Sequence, residues 1–113
     1  MARILIVDDE PLVREVLRQF LAGLGHTVRE AVNGQEGLRL FEESPADLVI
    51  TDNSMPRLTG REMIHTLRRE HPDVRIIAMS GGGLGPGTAE LVDATLPKPF
   101  SRRAFLDLVA RLS

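Results

Sequence analysis

Cysteine, tryptophan and tyrosine are all absent from the 113 residues of this chain. Without cysteine there is no disulfide framework, no thiolate nucleophile and no cysteine-based zinc site. Without tryptophan and tyrosine, the stacking residues used by single-strand nucleic-acid binders are reduced to four phenylalanines. A formal net charge of −2 and a pI near 5.9 also argue against broad electrostatic binding to nucleic acid or to anionic lipid.

Long apolar runs are absent as well. No stretch approaches the length of a membrane span, and the first residues lack the pattern of a signal peptide. We therefore expect a cytoplasmic protein that is not inserted in a membrane. The length suits one domain over residues 1–113, and the 42% hydrophobic and 27% charged residues are typical of globular proteins.

Lysine is nearly absent, because the chain has thirteen arginines but a single lysine, Lys98, between Pro97 and Pro99. Since arginine serves as the ordinary surface cation here, the one lysine indicates a position that needs a compact point charge. The two prolines stiffen the backbone, and an X-Pro bond can adopt the cis form in a tight turn. Taken alone, Lys98 could equally be a surface cation in a rigid loop.

Strand-like and helix-like segments alternate along the chain. Short apolar runs predict five strands, at residues 4–7, 26–31, 47–51, 74–79 and 94–96. Apolar residues at helical spacing predict helices from Pro11 to Gly25, from Asn33, from Thr59 or Gly60 to His71, and from Ser101. Strands separated by helices predict an α/β fold with a parallel sheet.

The segment in which a fourth helix is expected is rich in glycine instead. Residues 81–87 contain five glycines and one proline, and both residue types oppose helix formation. We therefore expect a short or irregular segment here, with mobility over residues 81–93. The segment matches neither the phosphate-loop pattern nor the dinucleotide fingerprint.

Polar side chains follow the predicted strands at their carboxyl ends. Asp8 and Asp9 follow the first strand, Asp52 the third, Ser80 the fourth and Lys98 the fifth. These strand ends meet at one rim of a parallel sheet, where ligands bind at the reversal of strand order. Three crowded carboxylates repel each other unless a divalent cation neutralises them, and Mg²⁺ suits oxygen ligands. With a hydroxyl and an ammonium beside them, the set indicates a phosphoryl-transfer site.

Each of these residues also has a plainer interpretation. Asp8 or Asp9 can cap the first helix, because carboxylates interact favourably with its dipole. Asp52 can belong to a loop, since Asp-Asn-Ser is good turn composition, and a serine before glycines is common in loops. The coincidence of all these residues favours the functional interpretation, because two adjacent acids at a buried strand end are costly without a cation.

In this order the residues resemble the response-regulator receiver domain of two-component signalling, in its stand-alone, chemotaxis-regulator-like form. The resemblance runs essentially end to end and is carried by Val7-Asp8-Asp9, Asp52-Asn53-Ser54-Met55-Pro56 with Gly60 beyond it, Ser80, and Lys98-Pro99-Phe100. It implies a flavodoxin-like fold, a doubly wound five-stranded parallel sheet of order 2-1-3-4-5 with helices on both faces.

The resemblance also implies roles for these residues. Asp52 would accept a phosphoryl group from a phosphohistidine of a sensor histidine kinase or a histidine phosphotransfer protein. Mg²⁺ would be held by four residues: Asp8, Asp9, Asp52 and the backbone carbonyl of Ser54. Ser80 and Lys98 would bind phosphoryl oxygens, with a cis bond between Lys98 and Pro99.

Two features depart from the family pattern. Thr95 stands where receivers usually carry an aromatic residue that reports phosphorylation, and the glycine-rich segment is short by roughly one helical turn. We expect no output domain, and hence a single domain that acts through protein–protein contact or a phosphorelay. As an enzyme it would catalyse only its own phosphorylation and dephosphorylation.

Three alternatives stay open at this point. The chain can be a fragment of a larger regulator or a purely structural pseudo-receiver. It can also be an aspartate-nucleophile, Mg²⁺-dependent phosphatase. Such enzymes carry an Asp-x-Asp motif at the nucleophile, however, where this chain has Asp52-Asn53-Ser54.

Overall fold

Strands and helices alternate in the computed structural model, which describes residues 2–53, 60–81, 84 and 87–113. The strands are β1 (Arg3–Val7), β2 (Thr27–Ala31), β3 (Leu48–Asp52), β4 (Arg75–Ser80) and β5 (Ala94–Pro97). The helices are α1 (Pro11–Leu21), α2 (Gly34–Glu43), α3 (Gly60–Glu70) and α4 (Arg102–Leu112), with a 3₁₀ helix at Ala89–Leu91. Among the described residues, no helix is long and apolar enough to cross a membrane.

The five strands form one parallel sheet of order β2-β1-β3-β4-β5, which confirms the predicted topology. From β1 the chain moves outward to β2, then crosses to β3 on the other side of β1. The order therefore reverses between β1 and β3, and their carboxyl ends lie side by side. This is the place at which open parallel sheets bind ligands.

Helices cover both faces of the sheet, as predicted, because β1, β3 and β4 are continuous apolar runs that must be buried on both sides. One face is covered by α1 and α4, through the buried side chains of Leu17, Leu21, Phe105 and Val109. The other face is covered by α2 and α3, through Phe41, Met63, Ile64 and Leu67.

The end of α1 differs from the prediction. The helix ends at Leu21 rather than continuing to Gly25, because the chain turns through Gly23 and Gly25, which have φ values of 82° and 87°. Three members of the predicted apolar stripe are exposed: Leu12 at 79%, Val16 at 45% and Leu24 at 49%. The stripe is thus wider than the surface that the sheet and α4 can cover.

Side chains cap the predicted starts of α2 and α4. The Asn33 side chain accepts a hydrogen bond from the Glu36 amide at 2.8 Å, and the Glu36 carboxylate accepts one from the Val32 amide at 2.9 Å. The Ser101 hydroxyl likewise caps α4. At α1 the N-cap residue is Glu10, and its side chain forms no capping hydrogen bond with the described residues.

In the glycine-rich segment the described residues form the 3₁₀ helix and no α-helix, as predicted. Residues 82, 83, 85 and 86 lie outside the described residues. The second half of the segment is held to α3. Arg68 donates hydrogen bonds to the Leu91 carbonyl at 2.9 Å and to the Asp93 carboxylate at 3.0 Å. Thr88 is buried and lies 3.3 Å from a ring nitrogen of His65. The mobility of residues 81–93 stays a prediction, and these contacts argue against it for residues 88–93.

Gly37 allows α2 to approach β1 and α3 closely. A Cβ atom there would lie 2.8 Å from the sulfur of Met63 and 3.0 Å from a methyl group of Val7. We expect Gly37→Ala to lower the free energy of unfolding by about 1–2 kcal/mol, because overpacking outweighs the gain in helix propensity. Urea unfolding measures it against Gly81→Ala, where a Cβ meets no described atom within 4 Å. Equal stability of the two variants would contradict the close packing.

Candidate functional site

Three acidic side chains meet where the strand order reverses. Asp8 directly follows β1, Asp52 is the last residue of β3, and the pairing of Val7 with Thr51 places these strand ends next to each other. One carboxylate oxygen from each of Asp8, Asp9 and Asp52 lies within 4.8 Å of the others. Asp8 and Asp52 are buried, with exposed fractions of 0% and 3%, whereas Asp9 is exposed.

The environment of Asp8 suits a bound cation. Its Oδ1 atom accepts a hydrogen bond from the Glu10 amide at 2.9 Å, but its buried Oδ2 atom has no hydrogen-bond partner among the described residues. Burial raises the pKa of Asp8 to about 6; Asp52 and Asp9 also raise it, while the Glu10 amide and Lys98 lower it. Three neighbouring carboxylates, one of which has a buried oxygen without a partner in the described residues, fit Mg²⁺, which takes carboxylates and retains water.

Lys98 reaches the acidic cluster across β4, the strand that lies between β3 and β5. Its ammonium nitrogen lies 3.4 Å from Oδ2 of Asp52, although it follows β5 and Asp52 ends β3. The Lys98 amide donates a hydrogen bond to the Ser80 carbonyl at 2.8 Å, and the Lys98–Pro99 bond is cis, as expected. The structure therefore places the single lysine of the chain against a buried carboxylate.

Ser80 ends β4, the strand between those that carry Asp52 and Lys98, and it is 3% exposed. Its position at the rim agrees with the sequence prediction. Ser54, whose backbone carbonyl is the remaining predicted ligand, lies outside the described residues. Asn53 is described, and its buried Oδ1 atom has no hydrogen-bond partner among those residues.

Arg14 was given no role by the sequence, yet it contacts this site. Its guanidinium donates one hydrogen bond to the Asp8 carbonyl at 2.6 Å and another to the Glu30 carboxylate at 3.2 Å. Arg14 lies on the flank of α1, and its side chain is only 14% exposed. No local pattern distinguishes it from the other twelve arginines, because both of its partners are distant in the sequence or belong to the backbone.

A second group of titratable side chains lies near the amino ends of β3 and β4, away from the acidic cluster. The His71 ring nitrogen lies 3.1 Å from a Glu42 carboxylate oxygen, and Glu70 is close to both. Their side chains face water, with Glu42 56% and His71 31% exposed. The contact joins α2 to the end of α3, and we assign these residues to helix packing.

The acidic rim has the chemical groups that phosphoryl transfer requires. The Asp52 carboxylate can act as a nucleophile, and the lysine ammonium beside it can stabilise negative charge on a transferred group. Asp8 and Asp9 can hold a divalent cation next to that carboxylate. The described residues thus bring together Asp8, Asp9, Asp52 and Lys98, with Ser80 on the intervening strand.

Comparisons with known proteins agree with this description. The family model of the response regulator receiver domain matches residues 4–110. Response regulator MprA of Mycolicibacterium vanbaalenii is 38% identical over 97% of this chain. Sensor kinase CckA of Brucella abortus is 36% identical over 98% of it. The chain corresponds to 48% of the length of MprA and 12% of that of CckA, so it spans about half or less of these relatives.

The fold also matches solved structures. Response regulator protein TrrA of Thermotoga maritima, solved in complex with Mg²⁺-BeF, is 33% identical to this chain. The two superpose with a TM-score of 0.93 over 100% of each chain. The whole described fold is therefore shared with a known response regulator.

Proposed function

Because this chain belongs to the family of response regulator receiver domains, we propose that Asp52 is the residue on which it accepts a phosphoryl group. The observation that carries the proposal is the buried Asp52 carboxylate, 3.4 Å from the ammonium of Lys98. A receiver domain is a phosphoacceptor signalling module, and Asp52 is the carboxylate that faces both the lysine and the other two acids.

The transfer needs little from the protein beyond placement and charge. A carboxylate oxygen of Asp52 bonds to phosphorus while the phosphorus–nitrogen bond of phosphohistidine breaks, and the departing nitrogen keeps the electron pair and takes a proton. Lys98 neutralises one phosphoryl oxygen, and the Ser80 hydroxyl donates a hydrogen bond to another. Ser80 ends β4 and Lys98 directly follows β5, so the fold already places both residues beside Asp52.

We propose Mg²⁺ as the cofactor, held by Asp8, Asp9 and Asp52 with the backbone carbonyl of Ser54. When bound, Mg²⁺ offsets the charge of the carboxylates and stabilises the charge on the transferred group. Two observations support this: the buried Oδ2 atom of Asp8, which has no hydrogen-bond partner in the described part of the chain, and the Mg²⁺-BeF complex of the relative TrrA.

The phosphoryl donor would be a sensor histidine kinase or a histidine phosphotransfer protein, as the family implies. We place the domain in the cytoplasm, where phosphohistidine is made from ATP.

The domain would signal as a single receiver unit through protein–protein contact or a phosphorelay, without direct nucleic-acid contact. It would catalyse only its own phosphorylation and dephosphorylation. The curated relatives are longer, so a place within a larger regulator is equally compatible with this role.

Mass spectrometry of the intact protein tests the proposal. After incubation with a small-molecule phosphodonor and Mg²⁺, we expect a gain of one phosphoryl group, and little gain when EDTA removes the metal. Turnover of a phosphate ester without a lasting mass change would favour the phosphatase alternative. An unchanged mass together with no Mg²⁺ binding would instead indicate a pseudo-receiver.

A further inference from the structure

The guanidinium of Arg14 joins three parts of the fold. Arg14 lies on α1, its Nε atom donates to Glu30 on β2 at 3.2 Å, and its Nη1 atom donates to the carbonyl of Asp8 in the β1–α1 loop at 2.6 Å. The second Glu30 oxygen lies 3.4 Å from Arg18. The Glu30 carboxylate therefore holds the Nε atom of Arg14, while the Nη1 atom of the same guanidinium binds the β1–α1 loop.

The Asp8 carbonyl belongs to the peptide unit that joins Asp8 to Asp9. The rotation of that peptide determines where both carboxylates point, since it lies between the two Cα atoms. Among the described residues, three hydrogen bonds are made by Asp8: from its amide to the Ala31 carbonyl at 3.1 Å, from the Glu10 amide to its carboxylate at 2.9 Å, and from Arg14 to its carbonyl. Of these, the last is made by a side chain from outside the loop.

We propose that Arg14 is a positioning residue for the Mg²⁺ site, acting through the Asp8 carbonyl to orient the carboxylates of Asp8 and Asp9. The inference rests on the proposed function, because it takes these two acids as the metal ligands. Arg14 contacts the backbone of a ligand residue rather than a carboxylate of the site. Groups that orient metal ligands in this way contribute strongly to metal affinity.

The charge of Arg14 and its hydrogen bond have opposite effects on Mg²⁺. A cation near a metal site repels Mg²⁺, so the loss of its charge alone would raise the Mg²⁺ affinity. The loss of a bond that orients two ligands would lower the affinity. A role confined to the stability of the fold would lower the unfolding temperature and leave the affinity of the folded protein unchanged.

The test is calorimetric titration of Mg²⁺ into the folded variants, with thermal unfolding of each metal-free protein beside it. We expect Arg14→Met to lower the Mg²⁺ affinity about ten-fold, at the lower end of what losing such a support costs. Arg18→Met is the matched control, because Arg18 lies on the same helix and pairs with the same Glu30 but has no bond to Asp8. Its Mg²⁺ affinity should be unchanged or slightly higher.

Unchanged or raised affinity in Arg14→Met would overturn the inference, in favour of a structural or a purely electrostatic role. If that variant does not fold, Arg14→Lys decides, since it keeps the charge but cannot span both partners. A lowered affinity would then support the inference, and wild-type affinity would overturn it. If the wild-type protein itself fails to bind Mg²⁺, it is the proposed metal site that fails.

Discussion

The Asp52→Asn variant is expected to lose phosphorylation by at least two orders of magnitude, roughly the scale seen when a nucleophile is removed. An amide oxygen at position 52 is a poor nucleophile and carries no charge to attract Mg²⁺. The buried position leaves little room for water or another side chain to replace it, since Asp52 is only 3% exposed. Intact-mass measurement after incubation with Mg²⁺ and a small-molecule phosphodonor gives the modified fraction directly.

Asp47→Asn provides the matched control for this experiment. Asp47 lies just before β3, at the opposite end of the strand that Asp52 ends, and its carboxylate accepts a hydrogen bond from the Arg3 amide at 2.8 Å. The modified fraction of Asp47→Asn should equal that of the wild type. If Asp52→Asn gained the phosphoryl group at the wild-type rate, another residue would have to be the acceptor.

The location of the site could be predicted because it follows from the geometry of parallel sheets. Asp8, Asp52 and Lys98 are far apart in the sequence, but each follows a predicted strand. Once the strands are parallel, their carboxyl ends lie at one rim, whatever the exact lengths of the connections. Errors of one or two residues at the strand ends, such as a β2 that begins at Thr27 instead of His26, do not alter this result.

The extent of α1 could not be predicted in the same way. Helical spacing shows which residues share a face, but the width of the buried surface depends on what packs against the helix. Leu12 and Val16 continue the apolar stripe and are nevertheless exposed. Arg14 lies on the partly buried flank, where the Asp8 carbonyl and Glu30 provide polar partners that the local sequence does not reveal.

The anchoring of the glycine-rich segment also escaped prediction. Its glycine content correctly indicated that the described residues of this segment form no regular α-helix. The contacts that hold its second half come from Arg68 and His65 on α3, more than twenty residues earlier in the chain. Local composition gives the intrinsic preference of a segment, whereas order also depends on distant side chains that satisfy its backbone.

Asp8→Asn is expected to stabilise the metal-free protein near pH 7 by about 3 kcal/mol. Burial raises the pKa of Asp8 from 3.8 to about 6, so the folded state holds this proton more tightly than the unfolded state does. The wild-type protein therefore loses stability as the pH rises from about 4 to about 6, and the loss persists above that range. Asparagine carries no titrating proton, so the variant lacks this contribution, and the two proteins should converge near pH 4.

Asp9→Asn separates the cost of burial from the role in metal binding. Both variants lose a proposed Mg²⁺ ligand and one negative charge, but Asp9 is exposed whereas Asp8 is fully buried. Mg²⁺ should consequently raise the unfolding temperature of both variants less than that of the wild type. Asp8→Asn should gain more metal-free stability at pH 7 than Asp9→Asn, because an exposed carboxylate is already solvated and its removal relieves only the repulsion between the acids. Equal metal-free stability of Asp8→Asn and the wild type from pH 4 to pH 7 would show that the buried carboxylate carries no such cost.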